Sequence, residues 1–504
     1  MSNWLFDAVR AAAPGDAAPL IETADGSVLT YGGMIDRSGQ FARALVAAGV
    51  KPGDRVAAQV EKSVEAILLY LATVRAGGVF LPLNTGYTPA EIDYFIGDAE
   101  PALFVVDPAA RDALAPIAAN RGARLETLDR NGSGSLTALA DAQSHGAFAD
   151  AERGPDDLAA ILYTSGTTGR SKGAMLTHDN LLSNALTLKD CWDFTRGDVL
   201  LHALPIFHTH GLFVATNTVL VAGASMIFLP RFDADQILGL LPRATVMMGV
   251  PTFYVRLVQN DGLTREAVAH MRLFVSGSAP LLAETHRAFE AKTGHRILER
   301  YGMTETNMIT SNPYEGERIA GAVGFPLPGV SLRVADPETG APLPDGDVGM
   351  IEVKGPNVFK GYWRMPEKTK AEFRDDGFFV TGDLGKIDDR GYVHVVGRGK
   401  DLVISGGYNV YPKEIESEID ALPGVVEAAV IGVAHPDFGE GVTAVVVPEK
   451  GAAIDEGAVL SALASKLAKF KQPKRVLFVD ELPRNTMGKV QKNVLRDRYA
   501  GLYG

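Results

Sequence analysis

Short apolar runs alternate with longer amphipathic ones through the first 330 residues. Residues 54–60, 79–83 and 103–107 are apolar segments of strand length. An amphipathic run follows Thr30-Tyr31-Gly32-Gly33 and stops at Gly49, and a helical run over 66–76 ends at Gly77-Gly78. The rhythm continues with strands predicted at 158–163, 199–204, 225–229, 244–249, 273–275 and 296–299. Strands alternating with helices predict parallel sheets covered on both faces, an α/β architecture. The strands at 158–163, 199–204, 273–275 and 296–299 empty into loops rich in glycine or polar groups. Ligands gather at the carboxyl ends of parallel strands, so these loops are expected to converge on one cleft.

After residue 330 the pattern changes. Pro, Gly and Asp turns separate short β-like runs, as in a small β-barrel or antiparallel sheet, and 382–398 reads as a hairpin. Residues 399–401 look like a link, and the last hundred or so form an α+β unit with a helix at 413–419 and strands at 428–433 and 443–447. The expected units are 1–398 and 399–504.

Length and charge narrow the function. A chain of 504 residues is too long for one ordinary core. A net charge of -12 argues against broad nucleic-acid binding. The single cysteine, Cys191, leaves no intrachain disulfide and no cysteine zinc cluster. The start of the chain lacks a basic segment followed by an apolar one, and no run of about 18 apolar residues occurs. A cytoplasmic protein with no membrane span is expected.

The chemistry concentrates at residues 164–173, where the strand at 158–163 gives way to glycines, hydroxyls, Arg170 and Lys172. Glycines let a backbone approach a ligand closely, free N–H groups point inward, and cations neutralise charge. An anion cradle is expected, with the triphosphate of ATP as its ligand. It is not a G-x-x-x-x-G-K-[ST] loop.

Further stretches carry a family resemblance: Tyr301-Gly-Met-Thr-Glu305, Thr381-Gly-Asp383, Gly397-Arg398-Gly-Lys400 and Pro483-Arg-Asn-Thr-Met-Gly-Lys489. With residues 163–173 they make the chain similar, over nearly its whole length, to acyl-CoA synthetases of the adenylate-forming superfamily. Within it the sequence resembles malonyl-CoA synthetases most, in Leu204-Pro-Ile-Phe-His-Thr-His-Gly211 and Glu299-Arg-Tyr-Gly-Met-Thr-Glu-Thr-Asn307. The resemblance implies a large N-terminal domain of α/β/α layers plus a β-barrel, and a small mobile C-terminal domain. It implies ATP, Mg²⁺ and CoA, and two half-reactions that pass through an acyl-AMP.

Residue roles follow from the same resemblance. Thr164, Ser165, Gly166, Thr167, Thr168, Gly169 and Lys172 are assigned to the β- and γ-phosphates. Gly277, Ser278, Ala279 and Pro280 flank adenine. Glu299, Arg300, Tyr301, Gly302 and Met303 lie at the nucleotide, with Tyr301 under the base. Thr304 meets the α-phosphate and Glu305 holds Mg²⁺. Read alone, residues 301–305 would equally be a helix start capped by Thr304. Asp383 and Arg398 take the ribose. Lys489 is the catalytic cation of adenylation, and its acetylation by a lysine acetyltransferase, reversed by a deacetylase, would remove that charge. Lys400 stands at the hinge, and Ser405, Gly406, Gly407 and Tyr408 meet the pantetheine arm.

A malonate pocket needs a cation for the second carboxylate, and Arg suits it best. The candidates are Arg256, Arg287 and Arg300, with Arg256 favoured and Ser278 and His208 assisting. Methylmalonate is an expected second substrate. Rival expectations are a ligase for another short-chain acid, a domain loading a carrier thiol, and a nucleotide-binding or luciferase-like protein without ligase activity. The lack of a carrier segment after residue 504 favours free CoA.

Overall fold

The computed structural model describes residues 2–164, 171–406, 408–464, 466–485 and 488–504. Among them the strands form four sheets. The seven-stranded sheet runs in the order Gly361–Tyr362, Lys172–Thr177, Leu158–Thr164, Val79–Pro82, Arg55–Gln59, Leu103–Val106, Arg124–Thr127. Its last five strands are parallel. The nine-stranded sheet is built around six parallel strands: Leu298–Met303, Leu273–Ser276, Val246–Gly249, Val199–His202, Ser225–Phe228 and Pro19–Thr23. The helix Val64–Arg75 is buried at every position from Ala66 to Arg75 and starts at Ser63, whose side chain accepts from the Ala66 N–H. That burial is why its sequence is apolar all round rather than on one stripe.

The region after 330 is a four-stranded antiparallel sheet of Ser331–Ala335, Gly349–Lys354, Phe379–Ile387 and Val393–Arg398. A short 3₁₀ turn, Gly399–Asp401, follows. The fourth sheet draws all its strands from beyond that turn, with the long hairpin Val425–His435 and Gly439–Pro448 at its centre. The helix Pro412–Asp420 packs on it through Ile415 and Ile419. The architecture is a large N-terminal α/β domain followed by a small C-terminal one.

Two local features depart from the sequence reading. Thr164 and Lys172 lie in antiparallel strands and pair directly with each other. The calls on Ser165, Gly166, Thr167, Thr168 and Gly169 lie outside the described residues. The strand expected to end at 299 instead runs on to Met303. It pairs in parallel with Leu273–Ser276 as far as Glu299, then antiparallel with Asn307–Ser311. The chain reverses through 304–306, with Asn307 at φ 48°, so residues 301–305 are neither an open loop nor a helix start. Gly302 makes the reversal possible, because a Cβ there would stand 2.0 Å from the Asn307 carbonyl oxygen. Gly302→Ala is expected to destabilise the protein by about 2 kcal/mol, since neither backbone can yield. Its urea midpoint and its affinity for ATP should both fall, and an unchanged midpoint would contradict the packing described.

Candidate active site

Asp383 joins two sheets at the cleft. It lies on Phe379–Ile387, directly opposite Arg398 in the next strand. Its Oδ1 is 2.8 Å from the Arg398 Nε, and its Oδ2 accepts a 2.5 Å hydrogen bond from the Tyr301 hydroxyl. The Asp383 N–H donates to the Thr381 hydroxyl, which in turn donates to the Ile351 carbonyl. A carboxylate held this way keeps further lone pairs, enough to accept from a diol. Burial and the Asp383 charge push the Tyr301 phenol well up, so it remains a neutral donor.

Glu305 is buried at the reversal after Met303. Its Oε1 accepts from the Tyr362 hydroxyl at 3.0 Å and stands 3.5 Å from the Thr164 hydroxyl. Burial pushes its carboxyl up. Among the described residues no cluster of three or more His, Cys, Asp or Glu could hold a metal. A single buried carboxylate beside a hydroxyl still fits Mg²⁺, which takes few protein ligands and keeps waters and phosphate oxygens.

Arg300 is the outlier of the site. It is buried, yet its Nε and Nη2 have no hydrogen-bond partner. Gly277 gives it room, since a Cβ there would lie 2.3 Å from the Arg300 Cζ. Ser278, next in the chain, has φ 74°, which a side chain rarely adopts. Its hydroxyl is 3.1 Å from the Nδ1 of His210, whose Nε2 is buried without a partner. Burial without a carboxylate pushes the guanidinium down to about 9. Burial also pushes His208 down to about 3, with Lys489 and Arg300 adding repulsion, and it pushes His210 well below the usual range.

Behind the pocket is the π-helix His210–Thr216, in whose first turn a Cβ on Gly211 would meet the Pro205 carbonyl oxygen at 2.1 Å. His202 and Thr216 both donate to the Gly211 carbonyl. The buried Lys62 amine donates to the Nδ1 and carbonyl of His202. Such one-turn bulges are frequent at functional sites.

Arg256 and Arg287, the other candidate arginines, are not enclosed with Arg300. Both are exposed, on the helices Pro251–Val258 and Ala283–Thr293. Neither is among the charges that bear on His208 or His210, whereas Arg300 bears on both. The physical reason lies in the helix. Tyr254 turns inward to donate to the Val275 carbonyl, and Arg256, two residues on, faces away.

The Lys172 amine is buried in an ion pair with Glu372, at 3.0 Å. Glu299 turns its carboxylate to His286 and the Gly321 N–H. Thr304 and Met303 are half-buried at the hairpin turn, and Ala279 and Pro280 continue outward from Ser278.

Lys489 reaches the cleft from the small domain. Burial lowers its amine, with Arg398 and Arg300 lowering it further and Asp383 and Glu305 opposing them. The loop is held by the Lys489 N–H on the Asn485 side chain, and Gly488, at φ 75°, faces Thr252 of the large domain across 3.5 Å, measured from a Cβ built on it. Lys400 lies in the 3₁₀ turn, whose Asp401 pairs with Arg496 at 2.9 Å. Ser405 is buried, Gly406 has φ 60°, and Tyr408 is 58% exposed and stacked on Phe470. Gly407 lies outside the described residues. The small domain therefore brings Lys489 into the cleft while Tyr408 faces solvent.

Sequence reasoning missed Tyr362, Glu372 and His210. His210 sat inside a quoted stretch, two residues from His208. Tyr362 bonds Glu305, and Glu372 bonds Tyr362, from a distant part of the chain, and no local pattern announces that.

The model for AMP-binding enzymes matches residues 6–363, and that for their C-terminal domain matches 414–489. The chain belongs to the AMP-binding enzyme family. A malonate–CoA ligase of Arabidopsis thaliana is 37% identical over 490 residues, which cover 91% of this chain and 80% of that protein. A feruloyl-CoA synthase of an Amycolatopsis species is also 37% identical, covering 94% of each. MatB from Rhodopseudomonas palustris is 69% identical over the full length of both chains. Its ATP-bound structure superposes with a TM-score of 0.98 and its apo structure with 0.87. The arrangement with Lys489 in the cleft is thus closer to the ATP-bound form. No helix among the described residues of this family member is long and apolar enough to cross a membrane.

The neutral histidines have a consequence for stability. The unfolded chain takes up protons below about pH 6.5 that folded His208 refuses until about 3, so stability is full above 6.5 and falls as pH drops. His208→Gln should flatten that loss between pH 6.5 and 5 by up to about 2 kcal/mol. Urea midpoints of both proteins across this range check it, and parallel curves would contradict it.

Proposed function

We propose that the chain is a malonate–CoA ligase. It joins malonate to ATP, giving malonyl-AMP and pyrophosphate, and then passes the malonyl group to the CoA thiol, releasing AMP. The observation that carries the acid is Arg300, a buried guanidinium with two unpartnered nitrogens. Malonate brings a second carboxylate that matches it, and its partners would be Arg300, the Ser278 hydroxyl and His210, with His208 alongside. The Arabidopsis relative is a malonate–CoA ligase and supports this choice. The feruloyl-CoA synthase, at equal identity, shows why the acid is read from the pocket. Ferulate has no second carboxylate to offer a buried arginine. An α-methyl group is a question of size worth roughly 1–3 kcal/mol, so methylmalonate is a second substrate.

The other residues divide the work. Asp383 accepts from the ribose hydroxyls while Arg398 and Tyr301 fix its position. The Lys489 amine, set among Asp383, Glu305 and Arg300, lies where the attacking carboxylate and the α-phosphate meet. Thr304 supplies a hydroxyl there, with Glu299, Gly302 and Met303 shaping the hairpin. Glu305 and Thr164 would hold Mg²⁺, which when bound neutralises phosphate charge. For the second half-reaction the 405–408 edge replaces the Lys489 edge by rotation about Gly399–Asp401, where the boundary between 1–398 and 399–504 falls. We place the enzyme in the cytoplasm, which suits a lone half-buried thiol at Cys191.

Arg300→Met should lower kcat/KM for malonate by about 100-fold or more, with ATP affinity by calorimetry held within about two-fold. Arg256→Ala and Arg287→Ala should stay near wild type. A normal Arg300→Met enzyme beside a crippled Arg256→Ala enzyme would return the pocket to Arg256.

Lys489 is also the control point we propose for a lysine acetyltransferase and deacetylase. Protein carrying acetyl-Lys489 should lose malonyl-AMP formation yet still convert preformed malonyl-AMP to malonyl-CoA, because only the first step uses the charge. Adenylation at full rate would end this idea.

A further inference from the structure

Lys172 opens the strand Lys172–Thr177, opposite Thr164, and its amine is engaged within the protein. It is 3.0 Å from the Glu372 Oε1 and sits over the Tyr362 ring, 4.1 Å from the centroid. Glu372 follows the helix Pro366–Ala371 and also receives Lys368 at 2.7 Å. Its other oxygen, Oε2, is 2.7 Å from the Tyr362 hydroxyl, and that hydroxyl is 3.0 Å from the Glu305 Oε1. Thr164, paired with Lys172, completes the circle at 3.5 Å from the same Glu305 oxygen.

One phenolic proton thus stands between two carboxylate oxygens. A hydroxyl donates one hydrogen bond at a time. Whichever carboxylate lacks the proton faces a phenol oxygen with no hydrogen between, which is unfavourable unless a cation lies close. Two lysines supply that cation on the Glu372 side. Held by them, Glu372 tolerates the loss of the phenol, and Tyr362 can turn its proton to Glu305. Remove Lys172 and Glu372 draws the proton back, leaving the Glu305 oxygen unsupported.

We propose that Lys172 is a positioning residue for Glu305, acting through Glu372 and the Tyr362 hydroxyl, and not a direct ligand of the triphosphate. It holds Glu305 for the cation that accompanies ATP and ties that carboxylate to the strand that opens at Lys172. Ser171, beside it, is fixed separately by a 2.7 Å hydrogen bond from the Tyr94 hydroxyl to its carbonyl. The inference rests on ATP and a divalent cation being this chain's ligands and is independent of the acid it activates.

The test is equilibrium binding of ATP to the whole protein by calorimetry, with Mg²⁺ and with EDTA. Lys172→Met should weaken ATP binding about ten-fold with Mg²⁺, the weight of one hydrogen bond to a charged group, and leave binding in EDTA unchanged. In a Tyr362→Phe background the Lys172→Met substitution should have no further effect, because the path to Glu305 is already cut. Glu372→Gln should reproduce the Mg²⁺-dependent loss, and it serves in place of Lys172→Met if that variant fails to fold. Equal weakening in EDTA, or additive effects of Lys172→Met and Tyr362→Phe, would overturn the proposal in favour of a direct phosphate contact. Malonate-dependent pyrophosphate release by wild type is measured alongside. Its failure would count against the ligase reading alone.

Discussion

A buried cation without a protein anion is the constraint around which the acid pocket is arranged. Leaving a charge unpaired in the interior costs several kcal/mol, and proteins ordinarily avoid it by pairing, exposure or substitution. Here the fold keeps Arg300 buried and makes space for it. Gly277 is bare where a methyl group would collide with the guanidinium, and Ser278 is forced to a positive φ that points its hydroxyl at His210. The histidines around it are neutral, so they add hydrogen-bonding capacity without adding charge of either sign. A group maintained at such cost is explained by a ligand that cancels it. The anion must be small, since the π-helix behind the pocket is locked by Gly211, His202 and Lys62.

The cleft works because each reactive group belongs to a different structural unit. Asp383 comes from the antiparallel sheet, Tyr301 and Glu305 from the hairpin at the edge of the nine-stranded sheet, Thr164 from the seven-stranded sheet, and Lys489 from the small domain. Asp383 and Glu305 both attract the Lys489 amine while Arg398 and Arg300 repel it. Tyr408 of the same domain is exposed.

Much of the fold was legible in the sequence because buried parallel strands announce themselves as apolar runs. The segments at 54–60, 79–83, 103–107 and 199–204 match strands to within a residue or two. The strand through Met303 was not legible as such, since Arg300, Tyr301 and Gly302 carry polar or small side chains and their pairing partner lies beyond a reversal. Tyr301, Glu305, Asp383, Arg398 and Lys489, which the motifs assigned to the nucleotide, lie near one another. The difference in burial among the candidate arginines was not legible, because sequence distinguishes arginines only by their neighbours. Arg256 follows a proline at a helix start and looked placed, whereas Arg300, inside a strand, is the one the fold encloses. Glu372 was invisible for a different reason. Its role exists only through Tyr362 and Lys172, which the chain brings together by sheet pairing between Gly361–Tyr362 and Lys172–Thr177.

The account turns on whether the pocket demands a second carboxylate. The most direct measurement is kcat/KM of the wild-type enzyme for malonate and for propionate, which differ at the group Arg300 would meet. A site built around a buried polar group rejects the analogue lacking its partner by about 10³-fold or more, and that ratio is the expected result. Comparable values for the two acids would mean that Arg300 does not select the substrate, and the assignment of malonate would fall with it.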